Sequence, residues 1–263
     1  VSTHDDFLLI YPTFEKLEAS RATLPGVLEE ASRAGARVIV HDSSIKDRDE
    51  KWAWLRALRE EFDFFLLLTD NCSMAHARNL CLRLGVEMYA PRHACMLEDD
   101  HGVRPGFIEA MANTMDDLYG RRAPNGFRYG LFSACSEHCW ADGRHDIPGG
   151  HFCPDADNPQ PIIGGVNSCC RAAPISHWIS VLKGYDTDEY PISTWQTRNL
   201  VWRNYHRGYT HCIVRSGDLM FSVPDDGRGT SMPGEARLWD EHYTASDPRS
   251  EFIGKPKAAA VTR

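Results

Sequence analysis

The chain has 263 residues, 42% of them hydrophobic and 25% charged, with a formal net charge of −8. That length suits one large α/β domain or two small ones, and the acidic balance argues against a general duplex-DNA or anionic-membrane binder. No apolar stretch approaches the length of a bilayer span, and the first residues, Val1 to Asp6, show neither a basic nor an apolar leader region. The expected location is therefore the cytoplasm. Nine cysteines, an odd number scattered along the chain, do not read as a secreted disulfide framework.

In chain order, Phe7 to Tyr11 is a continuous apolar run ending at Pro12-Thr13, which reads as a central parallel strand. A helix follows over 18–34, with Leu24, Val27, Leu28 and Ala31 at helical spacing. Pro25 lies in its early turns or divides it, and Gly35 closes it. Arg37 to His41 is a second strand ending at Asp42-Ser43-Ser44. Lys51 to Phe62 is a second helix, and Phe64 to Leu68 a third strand ending at Thr69-Asp70-Asn71. Ser73 to Leu84 is a third helix, closed by Gly85. The alternation β, α, β predicts a parallel sheet with right-handed crossovers.

The next apolar step, Ala94 to Leu97, ends in Glu98-Asp99-Asp100, followed by a loop and a helix over 105–118. Three adjacent carboxylates at a buried strand end repel one another and resist desolvation, so a positive partner must neutralise them. Taken alone, such a triplet reads as a solvated turn. At the carboxyl end of an α/β strand, where ligands bind in such sheets, it reads as an anchor for a divalent cation carrying a diphosphate. Asp42 and Asn71 share that end of the sheet.

The second half is less regular. A strand is predicted over 126–133, a long loop over 135–160, and a glycine-containing strand over 161–170. A helix is predicted over 194–207, ended by Gly208, and a strand over Tyr209 to Val214. No repeat or linker is visible, so the whole chain, 1–263, reads as a single domain. It has a first half over about 7–120, an irregular half over about 121–250 and a polar tail over 254–263.

The motif series resembles the GT-A glycosyltransferases, in particular their large family-2-type branch. Pro12-Thr13-Phe14, Asp42-Ser43-Ser44, Ala77-Arg78-Asn79, Glu98-Asp99-Asp100 with Pro105, Gly164 to Asn167, Gly184-Tyr185-Asp186 and Arg203 to Tyr209 carry the resemblance, over roughly 7–214. It implies a mostly parallel, Rossmann-like sheet flanked by helices, with an irregular acceptor-side second half. It also implies transfer of a sugar from a nucleotide-activated donor, a UDP-sugar being favoured, with Mn²⁺ or Mg²⁺. A metal acting as Lewis acid stabilises a departing diphosphate. By resemblance, Asp100 is the metal ligand and Asp99 a second ligand or brace. Glu98 contacts the ribose or metal-bound water, and Asp42 accepts a pyrimidine imide N–H. Pro12 and Thr13 flank the base, and Arg78 lies near the diphosphate or base. The acceptor is a glycan, a lipid-linked sugar or a small molecule, and the acidic charge argues against nucleic acid.

One departure stands out. Where the family carries a Glu-Asp pair ahead of the Arg matched by Arg203, this chain has Gln196-Thr197, and neither side chain is a general base near neutral pH. Asp186, Asp188, Glu189 or Asp225/Asp226 could take that role, or the reaction could retain configuration; Asp186 is the preferred acceptor-side carboxylate. Cys135, His138, Cys139, His145, His151 and Cys153 could hold a structural zinc, with Cys135, Cys139, His151 and Cys153 as ligands, but their spacing fits no standard finger. Two other readings are a sugar-phosphate nucleotidyltransferase and a non-catalytic nucleotide-sugar or glycan-binding module. The first lacks its Arg/Lys signature after the first strand. The second is suggested by the missing acidic pair.

Overall fold

The structure, a computed structural model, describes residues 4–70, 72–123, 126–134, 150–152, 170–185, 187, 195–215 and 219–223. Its first half runs β1 (Phe7–Thr13), α1 (Leu17–Ala34), β2 (Arg37–Asp42), α2 (Arg48–Leu58), β3 (Phe65–Leu68), α3 (Met74–Tyr89) and β4 (His93–Leu97). Then come β5 (His101–Val103), α4 (Phe107–Leu118), β6 (Arg128–Ala134), β7 (Gly150–Phe152) and β8 (Cys170–Pro174). The last described elements are α5 (Ile175–His177), which runs on as a π-helical segment (Trp178–Leu182), then α6 (Trp195–His206), β9 (Tyr209–Arg215) and β10 (Met220–Ser222).

Among the described residues, eight strands form one sheet in the order β3-β2-β1-β4-β8-β6-β9-β7. Strands β3, β2, β1 and β4 are parallel, β8 is antiparallel to β4 and β6, β9 is parallel to β6, and β7 is antiparallel to β9. The fully buried apolar run of β1 explains its central place: alternate residues fill both faces. Phe7, Leu9 and Tyr11 pack with Leu24, Val27 and Leu28 of α1 and with Phe107, Met111 and Met115 of α4. Leu8 and Ile10 pack on the other face with Ala75, Cys81 and Leu82 of α3 and with Trp178 and Leu182. No helix among the described residues is long and apolar enough to cross a membrane.

Several predicted boundaries shift, each for a physical reason. Pro25 sits inside α1, which runs undivided to Gly35, whose φ of 74° and N–H bonds to Ala31 and Ser32 end the helix as expected. Gly85 does not close α3; the helix continues to Tyr89. A Cβ at Gly85 would lie 2.2 Å from Leu8 Cδ2, so this glycine lets α3 approach β1. The loop after the triplet contains β5, which pairs antiparallel with β10 and lays the Phe221 ring over Gly102. The helix predicted to start at Lys51 begins at Arg48 and ends at Leu58. Of the strand predicted over 161–170, only Cys170 is described, as the first residue of β8. The candidate zinc ligands Cys135, Cys139 and Cys153 lie outside the described residues, while His151 falls in β7.

Helix α4 is held by a buried carboxylate. Glu30 Oε1 on α1 accepts the N–H groups of Gly106 and Ile108, each at 3.1 Å, and Arg33 pairs with the same carboxylate. Unsatisfied N–H groups at a helix start favour negative charge, and here the fold supplies it internally. His177 is buried between Tyr119 and Tyr209, donates from Nε2 to Asn204 Oδ1 (2.8 Å), and covers Gly130, where any Cβ would lie 2.5 Å from its ring.

Two outcomes are expected. Gly85→Ala should destabilise the protein by about 1–3 kcal/mol through overpacking against Leu8, read as a lower urea midpoint. Burial lowers the pKa of His177 from 6.5 to about 4, so the unfolded chain takes up a proton that the folded chain refuses. Stability should therefore fall as pH drops from 6.5 toward 4, and His177→Gln should flatten that part of the pH–stability curve.

Candidate functional site

The carboxyl ends of β1, β2 and β4 meet where the acidic triplet leaves the sheet. Glu98 turns toward α3 and β8. Its Oε1 accepts from Arg78 Nη2 at 2.5 Å and from Arg171 Nη2 at 2.8 Å. Both guanidinium groups are nearly enclosed and lie over the Tyr185 ring, 5.1 and 5.8 Å from its centroid, and Arg171 also donates to the Tyr185 hydroxyl at 3.1 Å. Burial works against the Arg171 charge, but Tyr185 and Glu98 outweigh it and hold its pKa above the ordinary value.

Asp99 turns the other way, toward β1. Its Oδ2 accepts the Phe14 N–H at 3.1 Å and the Thr13 hydroxyl at 3.2 Å, while its main-chain carbonyl accepts from Tyr11 Oη (2.9 Å) and Thr23 Oγ1 (3.0 Å). Burial pushes the Asp99 carboxyl up to about 6, although Lys16 and the Phe14 N–H pull the other way. Asp100 lies at the rim. Its Oδ2 is 2.9 Å from Lys16 Nζ and its Oδ1 is 2.6 Å from His101 Nδ1. Burial raises its pKa, yet His101 and Lys16 together hold it well below the usual carboxylate range.

The triplet's positive partners are thus side chains of the chain itself, Lys16, Arg78 and Arg171, with the His101 imidazole beside Asp100. They are the positive partner that the sequence called for, and three such charges match three carboxylates without an external cation. Lys16 Nζ also lies 3.9 Å from Asp99 Oδ1, so oxygens of Asp99 and Asp100 converge on one cationic position, which the lysine ammonium fills. Hard carboxylate oxygens converging on one point are the donor chemistry of Mg²⁺ or Mn²⁺. Asp99 and Asp100 therefore fit such an ion, with Lys16 standing in its place. Among the described residues no group of three or more His, Cys, Asp or Glu side chains forms a metal cage, so other ligands would come from the substrate or elsewhere.

At the end of β2, Asp42 is fully buried and its oxygens are filled. Oδ1 meets Lys51 Nζ at 3.1 Å and the Ser44 hydroxyl at 2.7 Å; Oδ2 accepts the Ser44 N–H at 3.1 Å and the Trp52 indole N–H at 2.7 Å. Lys51, equally buried, also donates to Thr13 Oγ1 (2.6 Å), to the Glu15 carbonyl (2.8 Å) and to Ser44 Oγ (3.3 Å). One ammonium thus ties β1, β2 and α2 together, and through Thr13 reaches Asp99. Pro12 is buried in β1, paired in register with His41 of β2.

Arg78 and Asn79 divide their work. Asn79 makes two hydrogen bonds to the Tyr185 main chain, at 2.8 and 2.9 Å. Arg203 on α6 donates to the carbonyls of Leu182 and Gly184. Gly184 needs its missing side chain: its φ is 71° and a Cβ would lie 2.5 Å from Asn79 Oδ1. The residue that follows Tyr185, Asp186, lies outside the described residues. Gln196-Thr197 fall in the first turn of α6.

Sequence reasoning passed over Lys16, Lys51, Trp52, His101 and Arg171. Two carried a signal. Lys51 stands at i relative to Leu55 and Leu58 at i+4 and i+7, a charge on the apolar face of α2. Arg171 interrupts an otherwise apolar strand.

No protein-family profile matches the chain, and no curated protein sequence does. Solved structures match on fold. Residues 1–349 of S. aureus TarS in complex with UDP superpose with a TM-score of 0.63 at 11% identity, covering 94% of this chain and 69% of that one. The same TarS fragment in complex with UDP-GlcNAc gives 0.62 at 11% identity, covering 94% and 70%. The mannosyltransferase PcManGT of Pyrobaculum calidifontis, in complex with GDP-Man and Mn²⁺, gives 0.55 at 16% identity, covering 84% of this chain and 58% of that one. In a further TarS 1–349 structure the chain spans 60% of the matched protein, so it corresponds to less than two thirds of the length of some of these proteins. The α/β architecture is that of the GT-A transferases, as the sequence motifs suggested.

Lys51→Met would strand the Asp42 carboxylate in the core, and should cost about 3–5 kcal/mol, as removing one partner of a buried pair does. Combining it with Asp42→Asn should recover part of that loss in chemical denaturation.

Proposed function

We propose that the chain transfers a sugar from a nucleoside-diphosphate donor, a UDP-sugar in the first instance, to an acceptor hydroxyl. The observation that carries this reading is the acidic triplet at the carboxyl end of β4, at the place in the sheet where α/β folds bind ligands, in a chain whose fold matches proteins solved with UDP, UDP-GlcNAc and GDP-Man. Fold alone does not determine function; the triplet and its partners give the reading its chemistry.

In the reaction, the bond from the anomeric carbon to the diphosphate oxygen breaks, and its electron pair leaves with the nucleoside diphosphate. The acceptor oxygen bonds to the anomeric carbon and gives up its proton. Asp100 would hold a divalent cation with Asp99 beside it. Such an ion, when bound, supplies Lewis-acid stabilisation of the leaving diphosphate. Thr13 and the Phe14 N–H fix the Asp99 carboxylate from behind. Glu98 is held rigid by Arg78 and Arg171, which makes it a preorganised acceptor for a ribose hydroxyl; the two arginines position it. Asp42 is the base-end carboxylate beside Pro12 and Thr13. A pyrimidine imide N–H reaches its Oδ2 only in exchange for the Trp52 indole N–H.

Asp186 is assigned to the acceptor side as the proton-accepting carboxylate. What supports it is the fixing of the preceding residues Gly184 and Tyr185 by Asn79 and Arg203. A pinned main chain is what a group that must meet an incoming hydroxyl requires.

The test is a thermal-shift series of nucleoside diphosphates with and without Mn²⁺. UDP with Mn²⁺ at about a hundred times its Kd should raise Tm by roughly 5 °C or more, and Asp100→Ala should abolish the rise. No shift with any nucleotide would sink the reading. Release of pyrophosphate from a nucleoside triphosphate and a sugar phosphate would replace it with nucleotidyl transfer.

A further inference from the structure

Lys16 occupies the one position on which Asp99 and Asp100 converge, and it is held there by the fold. It follows a main-chain conformation that side-chain-bearing residues rarely adopt, with Glu15 at a φ of 59°. That residue is pinned on every side. Its N–H donates to Ser44 Oγ at 2.8 Å and its carbonyl accepts from Lys51 Nζ at 2.8 Å. Its own carboxylate accepts the N–H groups of Ile45 and Lys46 at 3.1 and 3.2 Å. Strained backbone persists only where surrounding contacts over-determine it, and such places cluster at functional sites. The contacts here deliver the start of α1, and with it the Lys16 ammonium, to the acidic pair. The lysine side chain is nonetheless 23% exposed, against 0% for Lys51. Lys51 is locked; Lys16 has a flexible stem and a route to solvent.

We infer that Lys16 is a built-in competitor for the donor's cation: it holds the position between Asp99 and Asp100 when no donor is bound, and moves to the phosphate oxygens when a cation arrives with a nucleoside diphosphate. This rests on the nucleotide-sugar reading above. A divalent ion at roughly 2.0–2.3 Å from an Asp100 oxygen would stand within a few ångströms of the ammonium. Two positive groups so close in a part-buried site repel strongly. A cation alone therefore meets a position already held by an ammonium. A diphosphate changes the balance, because its oxygens accept the displaced ammonium in charge-assisted hydrogen bonds. The cation and the nucleotide then favour each other's binding, and by linkage to the same extent in both directions.

The experiment titrates Mn²⁺ into the full chain, following free Mn²⁺ by electron paramagnetic resonance, without and with UDP, for the wild type, Lys16→Met and Lys16→Arg. Wild type and Lys16→Arg should bind Mn²⁺ alone weakly and gain about ten-fold or more in affinity with UDP. Lys16→Met should bind Mn²⁺ alone about ten-fold or more tighter than wild type, with most of the UDP effect gone. Equal affinity of wild type and Lys16→Met for Mn²⁺ alone overturns the inference, and Lys16→Gln supplies the comparison should the methionine variant not fold. If UDP binds no variant while Lys16→Met gains Mn²⁺ affinity, the competition stands and the nucleotide-sugar reading fails. If UDP and Mn²⁺ bind wild type together but Lys16→Met changes nothing, the reading stands and the competition fails.

Discussion

Three consecutive carboxylates leave the buried strand β4, and the fold must neutralise them before it can place them. It does so with cations from separate parts of the chain, Lys16 ahead of α1, Arg78 on α3 and Arg171 on β8, and with a hydrogen bond from His101 of β5. Each ion pair also fixes the element that carries its cation. The triplet therefore works as a junction. Glu98 ties the helix and the antiparallel strand on one side of β4, Asp99 ties β1 on the other, and Asp100 faces outward. Glu98 points away from the other two, and the Lys16 ammonium that Asp99 and Asp100 share lowers the pKa of each against their mutual repulsion.

The second junction, Lys51 with Asp42, obeys the same logic in a drier place. Both groups are wholly enclosed, and the ammonium's remaining donors are satisfied by Thr13, Ser44 and the Glu15 carbonyl. A buried pair costs desolvation energy that Coulomb attraction recovers only when the geometry is good and the other donors are filled. Meeting both conditions here sets the relative positions of the β1 and β2 ends, where the loop leading to Lys16 begins.

Much of this order can be read from the residues. The parallel half of the sheet follows from strand-sized apolar runs alternating with amphipathic helices, because such runs can only be buried between layers. The motifs that looked like a series along the chain prove to be mutual contacts. Ala77-Arg78-Asn79 meets Glu98 and Tyr185, and Arg203 meets Gly184. What escaped the sequence is what depends on distant partners. Gly85 carries a helix-ending signal, but the approach of Leu8 gives it another use. His101 to Val103 looks like a loop because a three-residue strand has no periodicity to show, and its partner lies far along the chain. Lys16 reads as a surface residue ahead of a helix, since nothing local reveals that carboxylates from another strand will meet it.

The pairing of β5 with β10 has a consequence for the order in which the molecule is completed. The Asp100 carbonyl accepts the Val223 N–H, and Arg104 donates its own N–H to Leu219. The strand end bearing the triplet is thus closed by a segment from far downstream. Contacts between distant segments form late, because a long loop must close before they repay its entropy. On a ribosome the parallel half would emerge first, with β4 and its acidic end already paired on the β1 side. The edge of β5 would wait for β10, making the surroundings of the triplet the last part of the described fold to be finished, and the first exposed to a protease if synthesis stalled.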